Sequence, residues 1–164
     1  MTIGGPGANS LYSCLVLYRP YSSADFAALY AIEEASFQPP FRFSRSYMRH
    51  LLGSPNTASW IAEQDTVMAG FAIVEWGEGN DGTIAYIQTL EVLPAVRGQG
   101  AGSELLSRLE SSARSSGAHL IWLHVDAENA SAIRLYERHG YVCEHREENY
   151  YPQGRPALIY AKTL

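Results

Sequence analysis

A glycine-rich stretch joins a predicted strand to a predicted helix and limits the folds that this chain can adopt. The segment 83–93 is rich in β-forming residues and ends at Pro94, whereas apolar residues recur with helical spacing from Leu105 to Ala113. The first turn of such a helix leaves backbone N–H groups unpaired at the positive end of the helix dipole. The joint between the two elements is therefore a predicted anion site. Its residues are Val96, Arg97, Gly98, Gln99, Gly100, Ala101, Gly102 and Ser103.

The glycine spacing distinguishes this loop from two common phosphate-binding loops. Gly98, Gly100 and Gly102 alternate with other residues, and no glycine stands three positions after Gly100, as the dinucleotide fingerprint requires. Gly102 is also not followed by the Lys and Ser or Thr that end a P-loop. Arg97 adds a cation that can donate a charge-assisted hydrogen bond to a phosphate oxygen. The loop is predicted to bind a phosphate group of another kind of ligand, and a plain flexible turn is the alternative.

The rest of the chain alternates between strand-like and helix-like segments. Helical spacing predicts a first helix that begins at Ser22 or Ser23 and ends before Pro39. Three further helices are predicted over 44–52, from the glycine-rich loop to Gly117, and over 129–139. Strands are predicted over 11–18, 58–64, 67–76, 83–93, 119–125, 141–150 and 157–162, with a loop over 77–82. Meander strands followed by β-α-β crossovers predict an α/β (α+β) fold, with a mixed central sheet and helices on both faces.

Composition limits the domain count and the partners. The chain has 164 residues, of which 46% are hydrophobic, so we expect a flexible tail over 1–10 and a single domain over 11–164. A formal charge of −5 argues against nucleic acid as the main partner, and no apolar run approaches the roughly 18 residues that span a bilayer. Cys14 and Cys143 are too isolated for a thiolate metal site, and the histidines show no ligand spacing. We expect a metal-free cytoplasmic protein with reduced thiols.

Two motifs together resemble those of a known enzyme family. Arg97-x-x-Gly100-x-Gly102, preceded by Leu90-Glu91-Val92-Leu93-Pro94, resembles the pyrophosphate-binding signature of the GCN5-related N-acetyltransferases. Further along, Asn129-x-x-Ala132-x-x-x-Tyr136, which leads to Gly140-Tyr141, resembles the second signature of that family. The resemblance implies the GNAT fold, with a splay between two parallel strands over 83–93 and 119–125. It also implies acetyl-CoA as the cofactor.

The resemblance assigns the residues that hold this cofactor. The backbone of Leu90 and Val92 is implied to pair with the pantetheine arm as another strand would, while the amides from Arg97 to Gly102 hold the pyrophosphate. Asn129 is implied to hydrogen-bond the arm. The full cofactor set is Leu90, Val92, Arg97, Gly98, Gln99, Gly100, Ala101, Gly102, Ser103, Asn129 and Tyr136.

Within the family, the chain most resembles enzymes that acetylate the α-amine of protein N-termini, of the bacterial RimI type and its archaeal and eukaryotic counterparts. Three segments carry this likeness: 35–41, Leu123-His124-Val125, and Asn149-Tyr150-Tyr151-Pro152. It implies that the first residues of a peptide or protein acceptor are framed by Phe37, Pro39, Tyr150 and Tyr151.

The residues that move protons depart from the RimI pattern. Enzymes of that type carry Glu at the position of His124, whereas the NatE-type subunit pairs a His there with the Tyr of a Tyr-Ile-x-Thr-Leu strand, which 86–90 reproduces. The resemblance thus implies that Tyr86 and His124 bind the water that accepts the proton of the amine, and that Tyr136 assists the departing thiolate. An α-amine, with a pKa of about 7.7 to 8.0, needs a weaker base than a lysine side chain at about 10.4. Glu91 and bulk water are the alternative bases for the proton of the amine. A one-residue bulge in the strand would change which side chains share a face with Tyr86.

We therefore expect an acetyl-CoA-dependent N-acetyltransferase that acts on the N-terminal α-amine of a peptide or protein, as a monomer or weak homodimer. Two alternatives remain: an acetyltransferase of small-molecule amines, and a non-catalytic acyl-CoA-binding module. Product on small amines but not on peptides would indicate the first alternative. Binding of acetyl-CoA without acetylation of any amine would indicate the second.

Overall fold

The computed structural model describes residues 15–164, in which seven strands and four α-helices form. The expected tail over 1–10, and residues 11–14 of the predicted first strand, lie outside the described residues. Short 3-10 turns at Ser23–Asp25, Pro94–Val96 and Pro152–Gly154 accompany the longer elements. The strands are β1 Val16–Pro20, β2 Thr57–Gln64, β3 Val67–Gly79, β4 Gly82–Val92, β5 Leu120–Asp126, β6 Val142–Glu147 and β7 Ala157–Thr163. The helices are α1 Phe26–Ser36, α2 Arg45–Gly53, α3 Ala101–Ser115 and α4 Ala130–Arg138. No helix within 15–164 is long and apolar enough to cross a membrane.

The strands form one mixed sheet in the order β1-β2-β3-β4-β5-β7-β6. Every neighbouring pair is antiparallel except β4 and β5, which run parallel. One core, which includes Leu29 and Met48, packs α1 and α2 against one face of the sheet, and a second, which includes Leu105 and Tyr136, packs α3 and α4 against the other. The predicted mixed sheet with helices on both faces is confirmed.

The two parallel strands separate after a short paired stretch. Backbone pairing joins Ile84 to Leu120, Ala85 to Ile121 and Tyr86 to Trp122, and it stops there. The rest of β4 pairs only with β3, and the rest of β5 only with β7. The predicted splay is therefore present, and it opens a wedge in the middle of the sheet.

A β-bulge at Gln88 decides which side chains of β4 face this wedge from the side of α1. Across β3, Ile73 pairs with Thr89 but Val74 pairs with Ile87, so β4 contains one extra residue. A bulge reverses the alternation of side chains beyond it. The side chain of Glu91 lies near that of Ser36 of α1 and thus on the same face of β4 as Tyr86, which strict alternation would not allow.

Local sequence explains where the helices begin. Ser22 and Asp25 form a capping box that starts the 3-10 turn before α1. Ser44 accepts the backbone N–H of Tyr47 at the start of α2, and Asn129 accepts that of Ala132 at the start of α4. Gly100, with φ +85°, precedes α3 in a conformation that costs a glycine little.

The glycine-rich segment 77–82 differs from its prediction as a loop. β3 continues to Gly79 and β4 already begins at Gly82, so the turn is only two residues long. Thr83 donates a side-chain hydrogen bond to Glu78 across this ladder, and Gly82 adopts φ +116°. The glycines therefore extend the hairpin, because the opposite strand supplies partners for their backbone groups. The first strand also runs through Pro20, which a strand at the edge of a sheet tolerates.

Candidate active site

One cavity, of about 410 Å³, lies over the glycine-rich loop and is called the loop cavity here. It runs from the end of β4 across the first turn of α3 to α4. Of the predicted cofactor residues, all except Gln99 line it. The lining is Leu90, Glu91, Val92, Arg97, Gly98, Gly100, Ala101, Gly102, Ser103, Asn129, Ser131, Ala132, Leu135, Tyr136 and Arg138.

The loop cavity presents unpaired backbone donors. The first intrahelical bond of α3 runs from the N–H of Glu104 to the carbonyl of Gly100, so the preceding amides of the first turn have no intrahelical acceptor. Gly98 and Gly100 have φ of +75° and +85°, which favour glycine. A Cβ on Gly102 would lie 3.4 Å from the side chain of Leu135. This geometry suits an anion approaching the start of α3.

Two side chains of the loop are engaged within the protein. Nε of Arg97 donates to the carbonyl of Val92 at 2.8 Å. This bond occupies one of the two lone pairs of a carbonyl that the resemblance assigns to the pantetheine arm. Gln99 donates to the carbonyl of Ala95 at 3.3 Å and does not line the loop cavity.

A second cavity, of about 550 Å³, lies on the other side of the splay and is called the tyrosine cavity here. Three of the four residues predicted to frame the substrate peptide line it: Phe37, Tyr150 and Tyr151. The fourth, Pro39, does not line the cavity, whereas its neighbour Pro40 does. Its walls come from α1, the α1–α2 loop, β4, β5, α4 and the segment after β6. The lining is Glu33, Phe37, Pro40, Phe41, Phe43, Tyr86, Ile87, Gln88, Thr89, Leu90, Glu91, Leu123, His124, Val125, Asp126, Asn129, Ala132, Tyr136, Tyr150, Tyr151 and Arg155.

Tyr86 and His124 meet in the wall of the tyrosine cavity. The Tyr86 hydroxyl lies 3.1 Å from Nδ1 of His124, and Nε2 of the same ring lies 3.3 Å from Oε2 of Glu147. Burial raises the pKa of the Tyr86 phenol well above its ordinary value. Tyr86 therefore keeps its proton and can act as a hydrogen-bond donor.

An aromatic cluster fixes the orientation of these two side chains. The ring of Tyr150 stacks on His124 at 4.4 Å with an interplanar angle of 10°, and Trp122 lies 4.6 Å from the ring of Tyr86. Tyr151 contacts both Tyr150 and Phe41. Because aromatic rings packed in this way lose few rotatable bonds on binding, they form a rigid frame for a ligand.

The two cavities share five lining residues at the splay. The phenol of Tyr136 belongs to this group, and burial raises its pKa above the ordinary range, so it remains protonated. Asn129 uses Oδ1 to cap α4, which leaves its side-chain NH₂ as a donor. A ligand held in the loop cavity can thus extend to a partner in the tyrosine cavity. The shared residues are Leu90, Glu91, Asn129, Ala132 and Tyr136.

Two buried acids also line the tyrosine cavity. Burial raises the pKa of Glu91 to about 7, and the nearby carboxylate of Glu33 contributes in the same direction. Glu33 accepts the backbone N–H of Phe43 at 2.9 Å, while its Oε2 has no hydrogen-bond partner in the described part of the chain. Burial raises the pKa of Glu33 as well. Glu91 is therefore a second group that can exchange a proton near neutral pH.

The sequence motifs do not indicate four further residues in or beside the site, namely Glu33, Glu147, Trp122 and Arg155. Glu33 offered a local signal, because it is an acid on the apolar face of a predicted helix. Arg155 pairs with Asp126 at 2.8 Å, and Glu147 contacts His124 across β7. These two contacts depend on the register of β5, β6 and β7, so no local pattern reveals them. Within 15–164, no group of three or more His, Cys, Asp or Glu side chains could hold a metal ion.

Comparison with known proteins matches residues 26–141 to the family described as "Acetyltransferase (GNAT) family". A relative in Methanocaldococcus jannaschii, named an uncharacterized N-acetyltransferase, is 30% identical over 90% of this chain and 91% of its own length. The L-methionine sulfoximine/L-methionine sulfone acetyltransferase of Salmonella typhimurium is 34% identical over 57% of this chain and 54% of its own length.

A solved structure resembles the whole described fold. The ribosomal-protein-S18-alanine N-acetyltransferase of Escherichia coli superposes with a TM-score of 0.77, at 28% identity, over 91% of this chain and 94% of that chain.

Proposed function

Because the chain belongs to the acetyltransferase (GNAT) family, and is thus an acetyl-CoA-dependent N-acetyltransferase, we propose that its acceptor is the N-terminal α-amine of a peptide or protein. The α-amine proposal rests above all on the hydrogen-bonded pair of Tyr86 and His124 in the wall of the tyrosine cavity. The similarity to the S18-alanine N-acetyltransferase supports it.

The loop cavity fits the cofactor by the chemistry of its donors. Bound acetyl-CoA supplies an acetyl group activated as a thioester. Unpaired amides at the start of α3 and the positive φ of Gly98 and Gly100 suit its pyrophosphate. We propose that Asn129 donates its side-chain NH₂ to the arm of the cofactor and that Leu90 and Val92 border that arm.

The proposed proton acceptor suits an α-amine. The oxygen of Tyr86 can accept a hydrogen bond from the nitrogen of the substrate amine, or from one intervening water. The hydroxyl proton of Tyr86 faces Nδ1 of His124. An α-amine with a pKa of about 8 gives up its proton to a near-neutral base far more readily than a lysine at about 10.4. At the splay, Tyr136 retains the proton on Oη and can donate it where the two cavities meet.

The walls of the tyrosine cavity suit the end of a chain. Phe37 and Phe41 come from the α1–α2 side, Tyr150 and Tyr151 come from the segment after β6, and Phe41 contacts Tyr151. The cavity that these rings border can take an extended main chain, and the Tyr hydroxyls can hydrogen-bond its amides. A lysine within a folded surface would have to bring the backbone on both sides of it into the tyrosine cavity. The cavity therefore favours the end of a chain over an internal lysine.

Small-molecule amines are the second candidate class. The acids Glu33 and Glu91 line the tyrosine cavity, and such a pair also suits a compact cation. The likeness to the methionine sulfoximine acetyltransferase supports this alternative.

Mass spectrometry after incubation with acetyl-CoA tests the acceptor. The substrates are peptides that differ in their first two residues and contain no lysine. Matched controls are the same peptides with a formylated N-terminus and one added lysine, together with a panel of small amines. We expect acetylation of free α-amines only. Product confined to lysine side chains or to small amines would contradict the proposal.

A further inference from the structure

We propose that Glu147 is a positioning residue for proton transfer: it holds the His124 ring with the proton on Nε2 and stabilises the imidazolium that forms when Nδ1 accepts a second proton. This inference rests on the proposed role of Tyr86 and His124. Glu147 lies outside the motifs that carry the family resemblance, and its contact with His124 joins two strands that do not neighbour each other.

A bulge in β6 brings this carboxylate onto the face of His124. Cys143 pairs with Tyr160, but His145 pairs with Ile159, so Glu144 is the extra residue. As a result Glu147, and not Arg146, stands opposite Ala157. Ala157 lies two residues from Ile159, the partner of His124 in β7, so all these side chains share one face. The bulge therefore places an acid, where an unbulged strand would place a guanidinium.

The two hydrogen bonds of His124 define its tautomer. An ionised carboxylate only accepts hydrogen bonds, so the contact of 3.3 Å with Glu147 requires the proton on Nε2. In the neutral ring, Nδ1 is then an acceptor, and it receives the hydroxyl proton of Tyr86 at 3.1 Å. With Glu147 in contact, the lone pair on Nδ1 accepts from Tyr86, and the oxygen of Tyr86 connects it to the tyrosine cavity.

The transfer balances without any further reactant. An N–H bond of the substrate amine breaks, and a new O–H bond forms on Tyr86. The original O–H bond of Tyr86 breaks, and an N–H bond forms at Nδ1 of His124. The product is a neutral phenol beside an imidazolium. That cation then lies between Tyr86 and the negative charge of Glu147, which favours it.

No other carboxylate contacts the His124 ring in the described part of the chain. Tyr86 faces it from β4 and Tyr150 stacks on it from the segment after β6. Asp126, two residues along β5 on the same face, is paired with Arg155 at 2.8 Å. The His124 side chain is only 13% exposed, whereas that of Glu147 is 46% exposed, so the effect of Glu147 is moderate and its removal leaves the core intact.

The experiment compares Glu147→Gln with the matched control Glu148→Gln. Both variants lose one negative charge at adjacent positions, but Glu148 pairs with Arg146 and does not contact His124. NMR follows the ring nitrogen signals of His124, which report its tautomer and are assigned by their loss in His124→Asn. The pH profile of kcat/KM is measured with the best acceptor of the peptide panel.

In the parent we expect the ring signals of the tautomer with the proton on Nε2 of His124. In Glu147→Gln, whose neutral amide oxygen is a weaker acceptor than a carboxylate, we expect this preference to be lost and kcat/KM near pH 7 to fall about fivefold. Glu148→Gln should change neither quantity. An unchanged tautomer in Glu147→Gln, or equal changes in the two variants, would overturn the proposal. A changed tautomer without any loss of turnover would support the contact with Glu147 and contradict instead the proposed role of His124 in catalysis.

Discussion

The loop cavity and the tyrosine cavity meet at the splay, but they are built in different ways. The loop cavity takes its donors for an anion from the backbone of one continuous segment, in which glycines at 98 and 100 set the path of the chain, and adds the side-chain NH₂ of Asn129. The tyrosine cavity takes its groups from side chains of six separate segments. Its central contact, between Tyr86 and His124, joins residues 38 positions apart in the sequence.

The two halves of the site can therefore vary independently. Backbone amides are present whatever the side chains are, so the loop cavity needs only glycines and a helix start. A site made of side chains changes with each substitution and with each register shift between strands. We therefore expect donor binding and acceptor chemistry to respond to separate sets of variants.

The largest effect should follow from Tyr86→Phe or His124→Ala. Either change removes a group from the proposed proton path, so kcat should fall by about 100-fold, while acetyl-CoA affinity measured by calorimetry stays the same. The matched control is Tyr47→Phe, which alters an exposed tyrosine of α2. Unchanged turnover in both test variants would move the base role to Glu91 or water.

Tyr136→Phe should lower kcat by about tenfold, because it removes a protonated hydroxyl at the junction of the two cavities. Steady-state kinetics with both substrates varied would detect it. Tyr141→Phe is the control, since that ring packs against Tyr136 but lines neither cavity. Equal loss in the two variants would indicate a packing effect and not a role for the hydroxyl.

Gly100→Ala should affect the loop cavity alone. At φ +85° an alanine is strained, so the amides at the start of α3 shift and acetyl-CoA affinity falls by about tenfold. The KM for the acceptor at saturating acetyl-CoA should not change. Gly53→Ala, at a position with open space around it, is the matched control. A raised acceptor KM in Gly100→Ala would show that the two cavities are not independent.

The smallest effect concerns stability and Glu91. Its pKa in the folded protein is about 7, against 4.5 for an unperturbed carboxyl, so the contribution of this group to stability is complete below about pH 4.5 and is lost as the pH rises through 7. Glu91→Gln should therefore be more stable than the parent at pH 8 by about 1–2 kcal/mol, with no gain near pH 4. Urea unfolding at the two pH values measures this.

Glu144→Gln, at an exposed position of β6, serves as the control for Glu91→Gln. An equal gain in stability at both pH values would contradict the buried titration of Glu91.

The comparison also explains what could be predicted from the sequence. The run from Arg97 to Gly102 and the helix from Asn129 to Tyr136 are short patterns in which local geometry determines the outcome, and the structure places both along the loop cavity. The parallel strands and their splay are implied by the family resemblance that these motifs carry. Tyr86 and His124 are likewise indicated only by resemblance, because spacing alone does not reveal that two distant strands bring their side chains together.

Contacts that depend on strand register could not be predicted. The bulge at Gln88 brings Glu91 to the face of Tyr86, and the bulge at Glu144 brings Glu147 to His124. A bulge depends on the pairing of strands that are remote in sequence, so the alternation of one strand does not show it. The extended hairpin at 77–82 was missed for the same reason, since glycines suggest a loop until their partner strand is known.

The separation of β4 from β5 has a consequence for the protein without its cofactor. Beyond Tyr86 and Trp122, the backbone groups that β4 and β5 turn toward each other have no partner across the wedge, although the carbonyl of Val92 accepts Nε of Arg97. Their hydrogens should exchange with deuterium as quickly as those of an outer strand, and should become protected when the arm of acetyl-CoA lies between the strands. The resistance of this enzyme to heat would then depend on how much coenzyme its surroundings supply.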